Sequence, residues 1–260
     1  MCTLAVYLRE FDDYPLVVAA NRDEHYSRPS ASPWLLAEDP AIFGGRDLVA
    51  GGTWLGVNEH GLVAAIVNRR VKAPDTAGAP RSRGLLCRDM LRAQDAAQAA
   101  EWLQREDGSK YQPFVFVIAG ATTAFVAFNS ENGIRRLDLD PGLHVFGNTS
   151  FSEFGGGKLN HAREMFSTAA VSMRTHLKES GRPPDTAVEI LHGVLSDHSS
   201  AINSEEPKDA LCVHIPGADY GTVSSSIVFR ARAGKQFYFY HAPDAPCRAK
   251  YQAVNPPQLS

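Results

Sequence analysis

Met1-Cys2-Thr3-Leu4-Ala5-Val6-Tyr7-Leu8-Arg9, the tetrapeptide Asp12-Asp13-Tyr14-Pro15, and Leu16-Val17-Val18-Ala19-Ala20-Asn21-Arg22-Asp23-Glu24-His25 open the chain. Residues 3–9 and 16–21 are apolar and β-favouring, and the segment between them has the composition of a turn. The stretch reads as a hairpin. Antiparallel pairing about a turn near residue 12 sets Cys2 opposite residues 22–23, to within about two positions. Residue 2 is small, so removal of Met1 is expected. The cysteine would then carry both a thiol (reference pKa ~8.5) and an α-amine (~7.7–8.0). Such an amine is a near-matched base for its own thiol, an arrangement used in covalent catalysis. Arg22 is suited to stabilise a thiolate or to bind a substrate carboxylate. Asp23 or Glu24 is suited to orient the α-ammonium, and the Asn21 amide stands beside them. The competing reading is a polar strand exit with solvated charges.

Working outward, a second hairpin is expected at Thr53–Asn58 and Leu62–Asn68 around Glu59-His60-Gly61. A helical stretch follows from about Ser82 to Arg105, with a break near Gln94-Asp95, because Leu85, Leu86, Met90, Ala97, Ala100 and Leu103 recur at roughly helical spacing. Strands are expected at 113–119, 122–128, 134–139 and 144–146. Helices are expected at 158–179 and 185–197, parted by Pro183-Pro184, with strands again at 211–215, 222–231 and 235–241. Helices in mid-chain between runs of strands argue against regular βαβ alternation. Two stacked, mostly antiparallel sheets with helices outside would bury both sheets. The expected class is therefore α+β, a four-layer αββα sandwich, as one domain over 1–260, with Lys72–Pro80 as a surface loop. Two asparagines end apolar strands, Asn68 and Asn148. Their side-chain NH₂ groups suit an oxyanion hole, and turn formation is the alternative role for each.

Bulk properties narrow the function classes. Charged residues make up 21% and the net charge is −3, so nothing suggests a nucleic-acid surface. The N-terminus lacks the positive start and long apolar run of a secretory signal. No apolar run approaches the ~20 residues of a membrane span. A cytoplasmic protein without an integral membrane segment is expected. Cys2, Cys87, Cys212 and Cys247 form no CxxC pair and no zinc spacing, and free thiols and no metal site are expected. Of the four, Cys2 should be the most reactive. Gly44-Gly45 and Gly155-Gly156-Gly157 lack the Lys-Ser/Thr of a phosphate loop, and no HExxH pair occurs.

Together these segments resemble the NRDE, or transport and Golgi organisation, family. The resemblance rests on Met1-Cys2-Thr3, Ala20-Asn21-Arg22-Asp23-Glu24 with Arg28-Pro29, Gly51-Gly52-Thr53-Trp54-Leu55-Gly56-Val57, Gly61-Leu62-Val63-Ala64-Ala65 with Asn68, Ser82-Arg83-Gly84, Gly147-Asn148, Pro216-Gly217 and Tyr220-Gly221-Thr222. The family is similar to the cysteine N-terminal-nucleophile (Ntn) hydrolases. That resemblance implies Cys2 as nucleophile, Asn68 and Asn148 as oxyanion donors, and Arg22 with Asp23 or Glu24 as the neighbouring arginine and acid. Two departures stand out. Those hydrolases place the acid three residues after the arginine, where this chain has His25. The family usually has arginine after Tyr-Gly-Thr, where this chain has Val223. The resemblance also implies roles in haem trafficking and in lipid or acyl-CoA homeostasis. Two functions follow: hydrolysis or transfer of acyl groups of small amides or thioesters, needing no cofactor, or carriage of haem or a lipid in the same pocket. His25 and His214 are the candidate haem ligands, and Trp54 a candidate pocket wall.

Overall fold

The computed structural model describes residues 2–69, 81–130, 132–148, 157–178, 184–204, 206–233 and 236–254. The Lys72–Pro80 loop and the fate of Met1 lie outside the described residues. The opening hairpin forms β1 (Thr3–Leu8) and β2 (Leu16–Glu24), in a ladder running from Leu8↔Leu16 to Thr3↔Asn21. The ladder ends one residue short of Cys2, whose Sγ lies 3.8 Å from the Asp23 carbonyl oxygen.

The hairpin belongs to the first of two compact units, Met1–Arg28, Pro141–Gly147 and Phe151–Asn255. Its other strands are β10 (Gly142–Phe146), β11 (Gly221–Arg230), β12 (Phe237–Ala242) and β13 (Gln252–Ala253). The antiparallel sheet has the order β10-β1-β2-β11-β12-β13. Helices α3 (Gly157–Met173) and α4 (Asp185–Leu195) cover one face. Strand alternation decides which side chains they meet. Ala5, Tyr7, Val17, Ala19, Ile227, Phe229 and Tyr240 join Phe166, Met173 and Leu191 in one buried cluster. The short helix α5 (Ser199–Ser204) follows α4.

The second unit comprises Pro29–Asp140, Asn148–Ser150 and Pro256–Ser260. Seven antiparallel strands run in chain order, β3 (Ser30–Glu38), β4 (Ala41–Asp47), β5 (Leu55–Asn58), β6 (Val63–Asn68), β7 (Phe114–Ala119), β8 (Ala124–Ser130) and β9 (Gly133–Asp138). Helices α1 (Arg83–Met90) and α2 (Ala96–Gln104) pack on one face, where Leu86, Met90 and Leu103 meet Ile66, Phe114 and Phe116. Each helix has a side-chain cap: the Ser82 hydroxyl accepts from Gly84 N, and the Asp95 carboxylate accepts from Gln98 N. The expected helix over 82–105 is thus two helices, parted at residues 91–95. Each unit supplies one sheet layer and one helix layer, and the class is α+β with two antiparallel sheets.

Among the elements, β3, β4, β13 and α5 lie outside the expected set, and residues 211–215 are not a strand. They make only the isolated bridge His214↔Gly221.

Candidate active site

Because side chains alternate along a strand, the face of the first sheet turned away from α3 and α4 gathers Cys2, Arg22, Ser224 and Ser226. Arg22 pairs with Ser224 and Ala20 with Ser226. Arg22 is buried. Cys2 is half-buried as a residue, with its sulfur deep among protein atoms and 3.8 Å from the Asp23 carbonyl oxygen. Tyr220 Oη donates to the same carbonyl at 3.2 Å. Burial first, and then the Asp23 carboxylate, push the Cys2 thiol up. The terminal amine, then the hydrogen bond with the Asp23 backbone and last the Arg22 guanidinium pull the other way without prevailing. In the chain that carries Met1 the thiol is therefore raised, against the expectation of a lowered one.

Asn21 and Asp23 point to the helix side. Asn21 Nδ2 donates at 2.8 Å to both Leu195 O and Leu211 O, fastening the end of α4 and the following segment to β2. Asp23 Oδ1 accepts from Thr222 Oγ1 at 2.6 Å, and that hydroxyl accepts from Val213 N at 2.8 Å. Thr222 reaches this side because the ladder slips between Thr222 and Ser224. Val223, where the family usually has arginine, is the extra residue in that bulge. Glu24 accepts from His25 N at 3.0 Å and lies 3.9 Å from Arg28, closing the turn after β2.

Asn68 and Asn148 come together within the second unit: Asn148 Nδ2 donates to Asn68 O at 2.6 Å. Asn148 is buried, and its Oδ1 has no hydrogen-bond partner among the described residues. Asn58 and Asn129 differ. Both use the amide nitrogen and the amide oxygen on backbone groups, Asn58 on Leu91, Ala93 and Leu62, Asn129 on Gly108, Tyr111 and Phe114. Trp54 stands one residue before β5 rather than inside a strand, and its ring covers Gly45 so closely that a Cβ there would collide with it. His25 is exposed, its Nδ1 2.8 Å from Asp219 O and its ring against Tyr220. His214 lies elsewhere, beside Cys212 and Cys247. Arg230 pairs with Leu16 at the opposite end of β2 from Arg22, so it does not replace the family's arginine.

Three groups escaped the sequence reading. Ser226 Oγ lies 2.9 Å from His241 Nδ1 on the Cys2 face of the sheet, and burial pushes the imidazole down to about 4. Lys158, in the first turn of α3, feels the charges of Asp23 and Cys2, yet burial lowers its ammonium below the usual range. His161, Asp197 and Ser199 also cluster, but His161 Nε2 faces both Asp197 Oδ2 (2.9 Å) and Ser199 Oγ (3.1 Å). With one ring nitrogen turned to both partners there is no relay from acid to hydroxyl. Only pairing across strands could reveal the first, and no short spacing signals the second.

The fold is that of the Ntn-hydrolase-like proteins. The chain superposes on the Caenorhabditis elegans N-acylethanolamine-hydrolyzing acid amidase ortholog with TM-score 0.55, 12% identity, and 97% and 100% of the two chains covered. For a variant of conjugated bile acid hydrolase from Clostridium perfringens the TM-score is 0.55, with 11% identity and coverage of 98% and 97%. The Transport and Golgi organisation 2 family (TANGO2) matches residues 1–242, and the chain belongs to that family, the one named above for its NRDE motif. It is 26% identical over 238 residues to the human Transport and Golgi organization protein 2 homolog, covering 83% of this chain and 82% of that one. To the Drosophila melanogaster Transport and Golgi organization protein 2 it is 26% identical over 243 residues, covering 83% and 81%. Among the described residues no helix is long and apolar enough to cross a membrane.

Proposed function

We propose that the chain, once Met1 is removed, is a cysteine amidohydrolase or acyltransferase acting on small N-acyl amides or acyl thioesters. The observation that carries this reading is the placement of Cys2 at the Arg22–Asp23 end of β2, its Sγ 3.8 Å from the Asp23 carbonyl oxygen and its thiol within reach of the Arg22 charge. Two structures sharing the fold are named as an N-acylethanolamine-hydrolyzing amidase and a conjugated bile acid hydrolase, which supports amide chemistry. Cleavage of Met1 would put a positive amine on Cys2 itself, and that charge adds to Arg22 in opposing the rise of the thiol. The thiolate attacks the acyl carbonyl and forms a C–S bond; donors to the oxyanion are the role that the resemblance to the Ntn hydrolases implies for Asn68 and Asn148. The bond held to Asn68 O orients the Asn148 amide. The α-ammonium protonates the leaving nitrogen as the C–N bond breaks. Water, deprotonated by the α-amine, then releases the acid and restores the thiol. Val223 leaves one cation fewer than the family pattern, which favours a neutral or apolar acyl group.

The second reading is carriage of haem or a lipid without turnover. The raised Cys2 thiol of the Met1-bearing chain favours it, since a protonated thiol is a poor nucleophile. One experiment separates the two. Intact mass gives the N-terminal residue, and a panel of acyl amides, acyl thioesters and haem is run on wild type and Cys2→Ala. Turnover that vanishes in Cys2→Ala with the fold intact supports the hydrolase. A retained Met1, or haem binding unchanged by Cys2→Ala with no acyl turnover, overturns it.

A further inference from the structure

The helix side of the first sheet holds a second group of reactive side chains, built from three separate segments. Cys212 Sγ lies 3.5 Å from Cys247 Sγ. His214 Nε2 lies 3.6 Å from Cys212 Sγ and 3.1 Å from Cys247 Sγ. The His198 ring stands 5.4 Å from that of His214, centroid to centroid. One ligand-type atom from each of the four lies within 4.8 Å of all the others. In a tetrahedral zinc site with Zn–S of about 2.3 Å and Zn–N of about 2.0–2.1 Å, ligand atoms stand roughly 3.3–3.8 Å apart. The sulfur–sulfur distance and the longer sulfur–nitrogen distance fall in that range. The shorter sulfur–nitrogen distance falls just below it.

From this geometry we propose that Cys212, His214, Cys247 and His198 form a structural zinc site. The donor set selects the metal: two thiols and two imidazoles suit zinc and offer no oxygen to calcium or magnesium. Binding releases the two thiol protons, so a dication and two thiolates make a neutral centre. His214 presents Nε2 to the sulfurs, while its Nδ1 is buried with no hydrogen-bond partner among the described residues. Arg248 and Asp244, charges of opposite sign, flank the cluster.

The segments that carry the four ligands are already fastened. Cys212 N donates to Asp197 O, next to His198 in the chain. Val213 is tied on both backbone groups to Thr222, and through that hydroxyl to Asp23. The turn bearing Cys247 is held by His192 Nε2, 2.8 Å from Pro246 O, and by Arg248 N donating to Ala245 O. A metal here would lock the 197–214 segment and the 245–249 turn behind the Asp23 end of β2. It would act on the stability of that end and take no part in chemistry at Cys2. The competing reading is a disulfide between Cys212 and Cys247. It needs the sulfurs to close to about 2.05 Å, and it gives the two converging imidazoles no task.

The full chain, purified reduced and without chelator from zinc-supplemented medium, is assayed for metal by mass spectrometry, and its cobalt(II) form by visible spectroscopy. One zinc per chain is expected, with d–d and thiolate charge-transfer bands of a tetrahedral S₂N₂ cobalt centre. Cys247→Ser and His198→Gln should each lose most of the metal, and Cys2→Ala should keep it. Stripping the wild type should lower its melting temperature, and adding zinc should restore it. That arm decides the matter even where a variant fails to fold. Reduced wild type without zinc or cobalt bands, or zinc kept in the Cys247→Ser/His198→Gln double variant, overturns the proposal. So does an intact mass showing the Cys212–Cys247 disulfide in metal-free protein.

Discussion

The two sides of β2 at its Glu24 end put neighbouring residues of one motif to different uses. On the helix side, Asn21 and Asp23 are spent inside the fold, on Leu195, Leu211 and Thr222. On the other side, Arg22 acts on the Cys2 thiol, and Ser224 and Ser226 continue the polar face. Four contiguous polar residues therefore need not make one site. Strand alternation divides them into a half that anchors the helix layer and a half that faces the thiol. Glu24, though on the Arg22 side by parity, uses its carboxylate to close the next turn.

The largest effect should come from the anchoring half. Asn21→Ala removes two hydrogen bonds from buried carbonyls, each orphaned group costing about 1–3 kcal/mol, so a loss of roughly 2–6 kcal/mol is expected. Urea unfolding would show it as a lower midpoint. Iodoacetamide labelling of Cys2 in the folded protein should stay at the wild-type rate. A small stability loss with slowed labelling would erase the division between the two sides.

Next in size is an acid effect from the Cys2 face. His241 titrates near 6.5 when unfolded and is pushed down to about 4 by burial in the fold. Between those values the unfolded chain binds more protons, so stability falls as pH falls through that window. Above about 6.5 this group contributes no slope. The full loss is about 3 kcal/mol. Urea midpoints of wild type and His241→Gln across the window isolate the term: the difference between them should depend on pH. Parallel profiles would remove His241 as its source.

The opening hairpin was legible because its two apolar runs flank a turn of Asp, Tyr and Pro, and its register then followed. β3 and β4 were not, for a tertiary reason. β3 carries Pro33 and two register breaks on an edge, and β4 carries Gly44-Gly45. Those glycines make sense only when the Leu55 carbonyl and the Trp54 ring lie against them. Residues 211–215 misled in the other direction. Leu211, Cys212 and Val213 are buried like a strand, but Asn21, Asp197 and Thr222 satisfy their backbone groups in place of a ladder. Cys2 and Arg22 could be paired from sequence because a short turn joins them. Cys212, Cys247 and His198 could not, because separate segments bring them together, and Lys158 likewise reaches the Asp23 end of β2 only through the packing of α3.

The smallest effect tests the thiol-facing half directly. Arg22→Met keeps most of the side chain's length and removes its charge. The guanidinium now opposes the rise of the Cys2 thiol, so without it the thiol should titrate higher. Each unit of such a shift lowers the thiolate fraction tenfold at a pH below both midpoints. Alkylation of Cys2 against pH, with a small free thiol in the same tube as reference, should show a midpoint moved up and a lower rate at neutral pH. Arg22→Lys, which keeps a cation, should recover part of it. An unmoved midpoint with a urea midpoint as low as that of Asn21→Ala would place Arg22 among the anchoring residues. The motif would then serve the fold on both sides of the strand, and the reading of Cys2 as a nucleophile would lose the Arg22 cation as its support.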